Sequence, residues 1–196
     1  VENASLVPWL TLVGAGHLML VNKRKTTSLF SVYLLTLITF ILVLYSTFLT
    51  RSGVLGDTSV HSFTGDGMLP GLLLFLLFFI GLSVFALLPE AGQRRFYALV
   101  SGALLLIGVA LNIPVPAILL FGAVTLAHLL IAYRSAFNSS EPEESLWSRE
   151  FWLFIGSLVL LLSAVQITFS TSIPVFNLLL EPLGDGLRGL SNATGI

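Results

Sequence analysis

Three histidines, His17, His61 and His128, are the side chains here best suited to ligate a metal or relay a proton, because the sequence contains no cysteine. His61 lies in a polar, glycine-punctuated stretch, Thr47 to Phe63 (TFLTRSGVLGDTSVHSF), between two long apolar runs. So many polar groups in an apolar chain must lie where water or a ligand can satisfy them. Arg51 belongs to the same stretch. Its ordinary reading is an interfacial arginine snorkelling to lipid phosphate. Its functional reading is an anchor for an anionic group, since guanidinium binds carboxylate through paired hydrogen bonds. Gly53, Gly56, Gly65 and Gly67 permit tight turns over a ligand and equally suit a plain loop. His17 is flanked by Gly14, Ala15 and Gly16, which would let a flat macrocycle or a neighbouring helix approach the backbone. The bland reading is a histidine hydrogen-bonded to an adjacent helix; an ionisable group inside a membrane is nevertheless a functional candidate.

The elements that must position these residues are membrane helices. Of 196 residues, 56% are hydrophobic and 10% charged, with 15 phenylalanines and a mean hydropathy of +0.98. That leaves too little polar surface to coat a soluble globule, and the apolar residues come in runs near bilayer-crossing length. A net charge of -1 argues against a nucleic-acid partner, and the lack of cysteine excludes disulfides and thiolate chemistry. The chain opens at Val1 with neither an initiator methionine nor a signal-peptide pattern, and is expected to be a piece of a longer protein.

The expected fold is all-α, a polytopic helical bundle with about six spans, near 6–22, 29–50, 69–88, 96–112, 115–133 and 151–170. At about 1.5 Å per residue, the first run from Ser5 to Asn22 covers roughly 27 Å, with Asn3 or Ser5 as its cap and Pro8 in its first turns. The apolar run from Phe96 to Tyr133 would make a helix of roughly 57 Å, too long for one crossing, and Pro114 and Pro116 are expected to divide it by a tight turn. Residues 51–68 then form a loop on one face, and the tail, 178–196, lies on that same face. Charge placement orients the bundle. Lys23, Arg24, Lys25, Arg94, Arg95, Arg134 and Arg149 fall on one side, against Arg51 and Arg188 on the other. Seven against two directs the first side to the cytoplasm.

VENAS followed by PWL, a histidine in the same helix, then TFLTRSGVL and SVH, resembles the CcmF-type haem lyase family of cytochrome c maturation. In that family a tryptophan-rich outer-face motif leads directly into VENAS. LWSRE at 146–150, ahead of another apolar run, is similar to the family's approach to a later helix, so the likeness frames residues 1 to about 177 as a transmembrane haem-handling domain. The resemblance implies that His61 is an axial ligand to haem held at the outer face over the tryptophan-rich motif. It implies that His17 ligates a second, b-type haem within the membrane. Glu2 and Asn3 would stand at the outer haem platform, and Arg51 would pair with a haem propionate. The implied activity is thioether attachment of reduced haem to the CxxCH cysteines of apocytochrome c. A haem-delivery chaperone and other maturation proteins are the implied partners, a quinol the implied electron source, and the bacterial inner membrane the implied location, with the haem site on the periplasmic side. The sequence departs from the family pattern in a two-residue addition, Gly56 and Asp57, and in the apparently additional pair of spans between 96 and 133, where His128 reads as a helix-packing residue.

Two other classes fit the bare residues. One is a transporter or channel in which His17 relays protons and the 51–67 loop is a gate. The other is a membrane scaffold that binds no haem. The acidic run Glu141, Glu143 and Glu144 reads as a solvated loop, and the Asn138–Ser140 and Asn192–Thr194 triplets as chance glycosylation patterns.

Overall fold

The structure, a computed structural model, describes residues 2–23, 29–56, 67–136, 147–181 and 184. The described residues are helical throughout, with no strand among them. The helices are α1 (Glu2–Asn22), α2 (Leu29–Arg51), α3 (Leu69–Leu87), α4 (Ala91–Ala110), α5 (Pro114–Ala136) and α6 (Arg149–Thr171). A further helical stretch, 173–181, follows α6 almost without interruption. In packing, α1 lies between α2 and α6, α3 lies against α4 and α5, and the α2–α3 contact joins the two groups.

Local chemistry explains the boundaries. At the start of α6, the Ser148 hydroxyl caps the helix by accepting from the Phe151 amide at 3.0 Å, and Glu150 adds a negative charge to the first turn. Pro70 occupies the first turn of α3, where its missing N–H has no partner to lose. The break between α4 and α5 is a Schellman turn. Asn112 takes φ 53, the Asn112 amide donates to Val109 O at 3.3 Å, and the Ile113 amide donates to Gly108 O at 3.0 Å. Pro114 then opens α5. Gly108 is required by this geometry, because a Cβ there would overlap the Ala117 Cβ.

Helix α1 begins at Glu2, ahead of the expected caps, so Pro8 stands inside it. A proline cannot donate to the carbonyl four residues back. Here that acceptor, Ala4 O, lies 2.9 Å from the Ser46 hydroxyl of α2, whose single proton it shares with Leu42 O at 2.8 Å. A second polar tie joins the same pair of helices, Thr39 Oγ1 donating to Thr11 Oγ1 at 2.9 Å. Such bonds register helices in a solvent that offers no others.

Among the described residues, five helices, α1, α2, α3, α5 and α6, are long and apolar enough to cross a membrane. With membrane-length helices of this kind the chain is a multi-pass membrane protein. The count differs from about six because α4 spends its first turn on Gln93, Arg94 and Arg95. It nevertheless runs antiparallel along α5, from Gly108 against Ala117 to the Tyr97 hydroxyl 3.1 Å from Thr125 Oγ1. A cluster of Val84, Leu88, Tyr97 and Ala132, with Phe30 packed on it, gathers one end of α2, α3, α4 and α5. Arg94, Arg95 and Arg134 therefore emerge at a common basic end. At the opposite end Phe48, Leu49 and Leu76 pack with Val54, Leu55 and Val175. There the Tyr45 hydroxyl donates to Ser172 Oγ at 2.5 Å, tying α2 to the turn after α6.

Candidate haem-binding helix

Val7, Leu10, Gly14 and His17 recur at three- and four-residue intervals along α1, so they form one stripe. The stripe faces α6. Val7 and Leu10 pack with Ala164, the Ser157 hydroxyl reaches Gly14 O at 3.3 Å, and His17 meets Gly156. His17 Nδ1 lies 2.8 Å from Val13 O, one turn back on its own helix. A carbonyl can only accept, so Nδ1 carries the proton. In the neutral ring, Nε2 is then left with its lone pair, the tautomer a metal ligand needs. From the point a Cβ on Gly156 would occupy, Cδ2 is 3.8 Å and Nε2 4.0 Å away. Because Cδ2 is the nearer atom, that point lies beside the lone-pair axis of Nε2 rather than on it. Gly16 on the neighbouring face of α1 has nothing within 4 Å of where its Cβ would stand. A half-buried imidazole whose Nδ1 is held by Val13 O, seated against Gly156, has the donor chemistry of an iron ligand.

The remaining sequence candidates divide by level. Asn3 is exposed in the first turn of α1, and Glu2 is the first residue of that helix. Arg51 is exposed at the last residue of α2. The Ser46–Ala4 contact brings these two helix ends to the same end of the bundle. Gly56 and Gly67, which flank the segment containing His61, are described at this end too; His61 itself lies outside the described residues. His17 is not among this group. It lies further along α1 than Asn3 by roughly 21 Å, at about 1.5 Å per residue, towards the basic end.

His128 shares one property with His17. Its Nδ1 lies 2.8 Å from Val124 O, again one turn back. Its surroundings differ, for it is buried between α4 and α5, with its ring centroid 5.9 Å from Phe96 and 5.0 Å from Tyr97. Gly156 and Ser157 are the partners that the sequence reading missed. A Gly-Ser pair amid the apolar residues of α6 signals a close helix contact, although it does not name the helix contacted. Among the described residues no group of three or more His, Cys, Asp or Glu could hold a metal ion.

Relatives were found among curated proteins. The cytochrome c-type biogenesis protein CycK of Bradyrhizobium diazoefficiens is 42% identical over 130 residues, which cover 62% of this chain and 19% of the relative. The cytochrome c-type biogenesis protein CcmF of Pseudomonas aeruginosa is 32% identical over 175 residues, 89% of this chain and 20% of the relative. That of Escherichia coli is 29% identical over 175 residues, again 89% of this chain and 20% of the relative. This chain thus spans about a fifth of the length of the relatives it matches. No family model matches it, and no solved structure matches significantly. Membrane helices and a likeness that runs through nine-tenths of the sequence agree: the chain corresponds to a stretch of the CcmF-type cytochrome c-type biogenesis proteins.

Proposed function

We propose that this chain is the part of a cytochrome c haem lyase that supplies one axial ligand to each of two haems. The observation that carries the reading is the seat of His17, beside Gly156 at the α1–α6 seam and not clamped between aromatic rings as His128 is. The bond from Nδ1 to Val13 O leaves the lone pair on Nε2 of this half-buried ring, the form in which imidazole ligates iron. His17 would hold a b-type haem, and His61 the haem destined for the cytochrome. The reduced outer haem offers its vinyl groups to the thiols of an apocytochrome CxxCH segment, each S–H adding across one C=C bond without net oxidation. The protein's share is to hold, orient and shield. Arg51 is suited to a propionate at the end of α2, and Glu2 and Asn3 border the platform from α1. The basic end faces the cytoplasm by the charge rule, which sets the Arg51 end on the periplasmic side of a bacterial inner membrane. A haem-delivery chaperone, apocytochrome c, other maturation proteins and a quinol donor would meet the full-length protein there.

The test is the reduced-minus-oxidised visible spectrum, with haem quantified, of the full-length protein and its His17→Ala and His61→Ala forms. The proposal expects His17→Ala to remove a stable b-type signal and His61→Ala to impair capture of a second haem. A full-length protein that binds no haem under haem-replete expression, or spectra unmoved by either substitution, would overturn both assignments and favour a transporter or scaffold.

A further inference from the structure

Between α3 and α4 runs an open apolar cleft of about 300 Å³, floored by Phe121 and walled by Phe78, Leu82 and Phe85 on one side and Ala98, Gly102 and Leu105 on the other. The cleft exists because α4 presents small residues to α3. Gly102 has no atom within 4 Å of where its Cβ would be, and the Ser101 hydroxyl turns back onto Tyr97 O at 2.6 Å, adding no polarity to the cleft. The wall residues Phe78 and Leu82 remain 59% and 47% exposed, so the cleft opens sideways to the surroundings of the bundle. Its volume is smaller than one turn of a helix of 10 Å diameter, roughly 420 Å³, so it suits a thin flexible chain better than another helix.

The stripe that walls the cleft continues to the basic end. Arg94 lies one turn before Ala98, and Arg95 lies three residues before Ala98 and seven before Gly102, so both arginines stand over the mouth. Arg94 Nη2 donates to Pro89 O at 3.2 Å and Arg95 Nε lies 3.4 Å from Ala91 O. Arg94 Nε is buried with no partner among the described residues. The N-cap residue Glu90 offers no side-chain bond to the first turn of α4, and at the start of this helix the described residues set one carboxylate against two guanidiniums.

We infer that the cleft is a binding site for one anionic phospholipid, an acyl chain lying between α3 and α4 and the phosphate held by Arg94 and Arg95 at the basic face. The apolar cleft selects a hydrocarbon chain, and the two arginines select negative charge over zwitterionic lipid. An arginine near a membrane surface favours an anionic lipid by about fivefold, so the pair gives a preference on the order of 25-fold.

The experiment uses the full-length protein in detergent, with spin-labelled phosphatidylglycerol and phosphatidylcholine, and reads the motionally restricted component. The expected result is preferential immobilisation of phosphatidylglycerol. Arg94→Gln with Arg95→Gln should abolish the preference while leaving some chain immobilisation. Gly102→Leu should lower immobilisation of both lipids, because its side chain enters open space and displaces the chain without displacing protein. Equal immobilisation of the two lipids by the parent, or no response to Gly102→Leu, would overturn the assignment. So would a Gly102→Cys protein whose photocrosslinker captures another polypeptide segment in place of lipid.

Discussion

Replacing Gly156 tests whether the α1–α6 seam is shaped around His17. An alanine Cβ would stand 3.8 Å from Cδ2 and 4.0 Å from Nε2, ordinary van der Waals contact that displaces nothing. Alanine also favours a helix interior over glycine by roughly 1 kcal/mol. Gly156→Ala should therefore melt no earlier than the parent. Leucine is different. Its branch carbons must occupy space taken by the imidazole, so either α6 moves away from α1 or the ring leaves its rotamer and loses the bond to Val13 O. Overpacking of this kind costs about 1–3 kcal/mol, roughly a 5- to 150-fold loss in the fraction of molecules with His17 correctly presented. The assay is the haem content and reduced-minus-oxidised spectrum of the full-length protein, alongside its thermal transition. Val159→Leu, at a position 56% exposed, is the control for adding bulk to α6. A Gly156→Leu protein with the parent's haem content and spectrum would refute the reasoning, because the seam would then tolerate displacement of the ring.

Gly108→Ala should lower the thermal midpoint through overlap with Ala117, at a cost on the order of 1–3 kcal/mol, and Ala117→Gly in the same protein should recover much of that loss. Asn112→Gly should match or exceed parental stability and Asn112→Ala should fall about 1 kcal/mol below it, both read by thermal unfolding in detergent, because φ 53 penalises a Cβ. Ser46→Ala should cost about 1 kcal/mol by the same measurement, since it leaves Ala4 O without the bond that Pro8 cannot supply. His128→Phe should leave the haem spectrum unchanged, because a phenyl ring preserves the packing on Phe96 and Tyr97.

Runs of apolar residues and the charges between them announced the helices, because span length and charge depend only on composition within a window. The α4–α5 break was legible from Pro114 and Pro116, but its mechanism was not. Asn112 holds the left-handed turn, and an asparagine gives that signal only once the helix end is known. The start of α1 is illegible in the sequence for a related reason. Pro8 is tolerated inside the helix because Ser46, distant in sequence, serves the carbonyl it abandons. Contacts across helices could not be read at all, so His17 was recognisable by type while its seat against Gly156 was not. His17 and His128 also look alike in sequence and share the same backbone bond. Only packing separates them, one beside glycines at a seam and the other clamped between aromatic rings.

The levels of the proposed ligands constrain any mechanism. A nitrogen ligand stands about 2 Å from its metal, so two ligands of one iron lie at most about 4 Å apart. Asn3 and His17, on one rigid helix, are separated along its axis by roughly 21 Å. No single haem can be ligated by His17 and also rest its iron at the level of Asn3 and Arg51. If both ends bind haem, there are two sites, and α1 is the rod that fixes their spacing. Their separation then serves chemistry. On the proposed reading, a haem destined for a cytochrome would need to stay open to an incoming CxxCH segment, whereas a resident haem would be better kept among apolar helices, away from thiols. Breaking the rod should therefore uncouple the sites without removing either ligand, which makes continuity of α1 between Pro8 and His17 as much a part of the proposed machinery as the histidines.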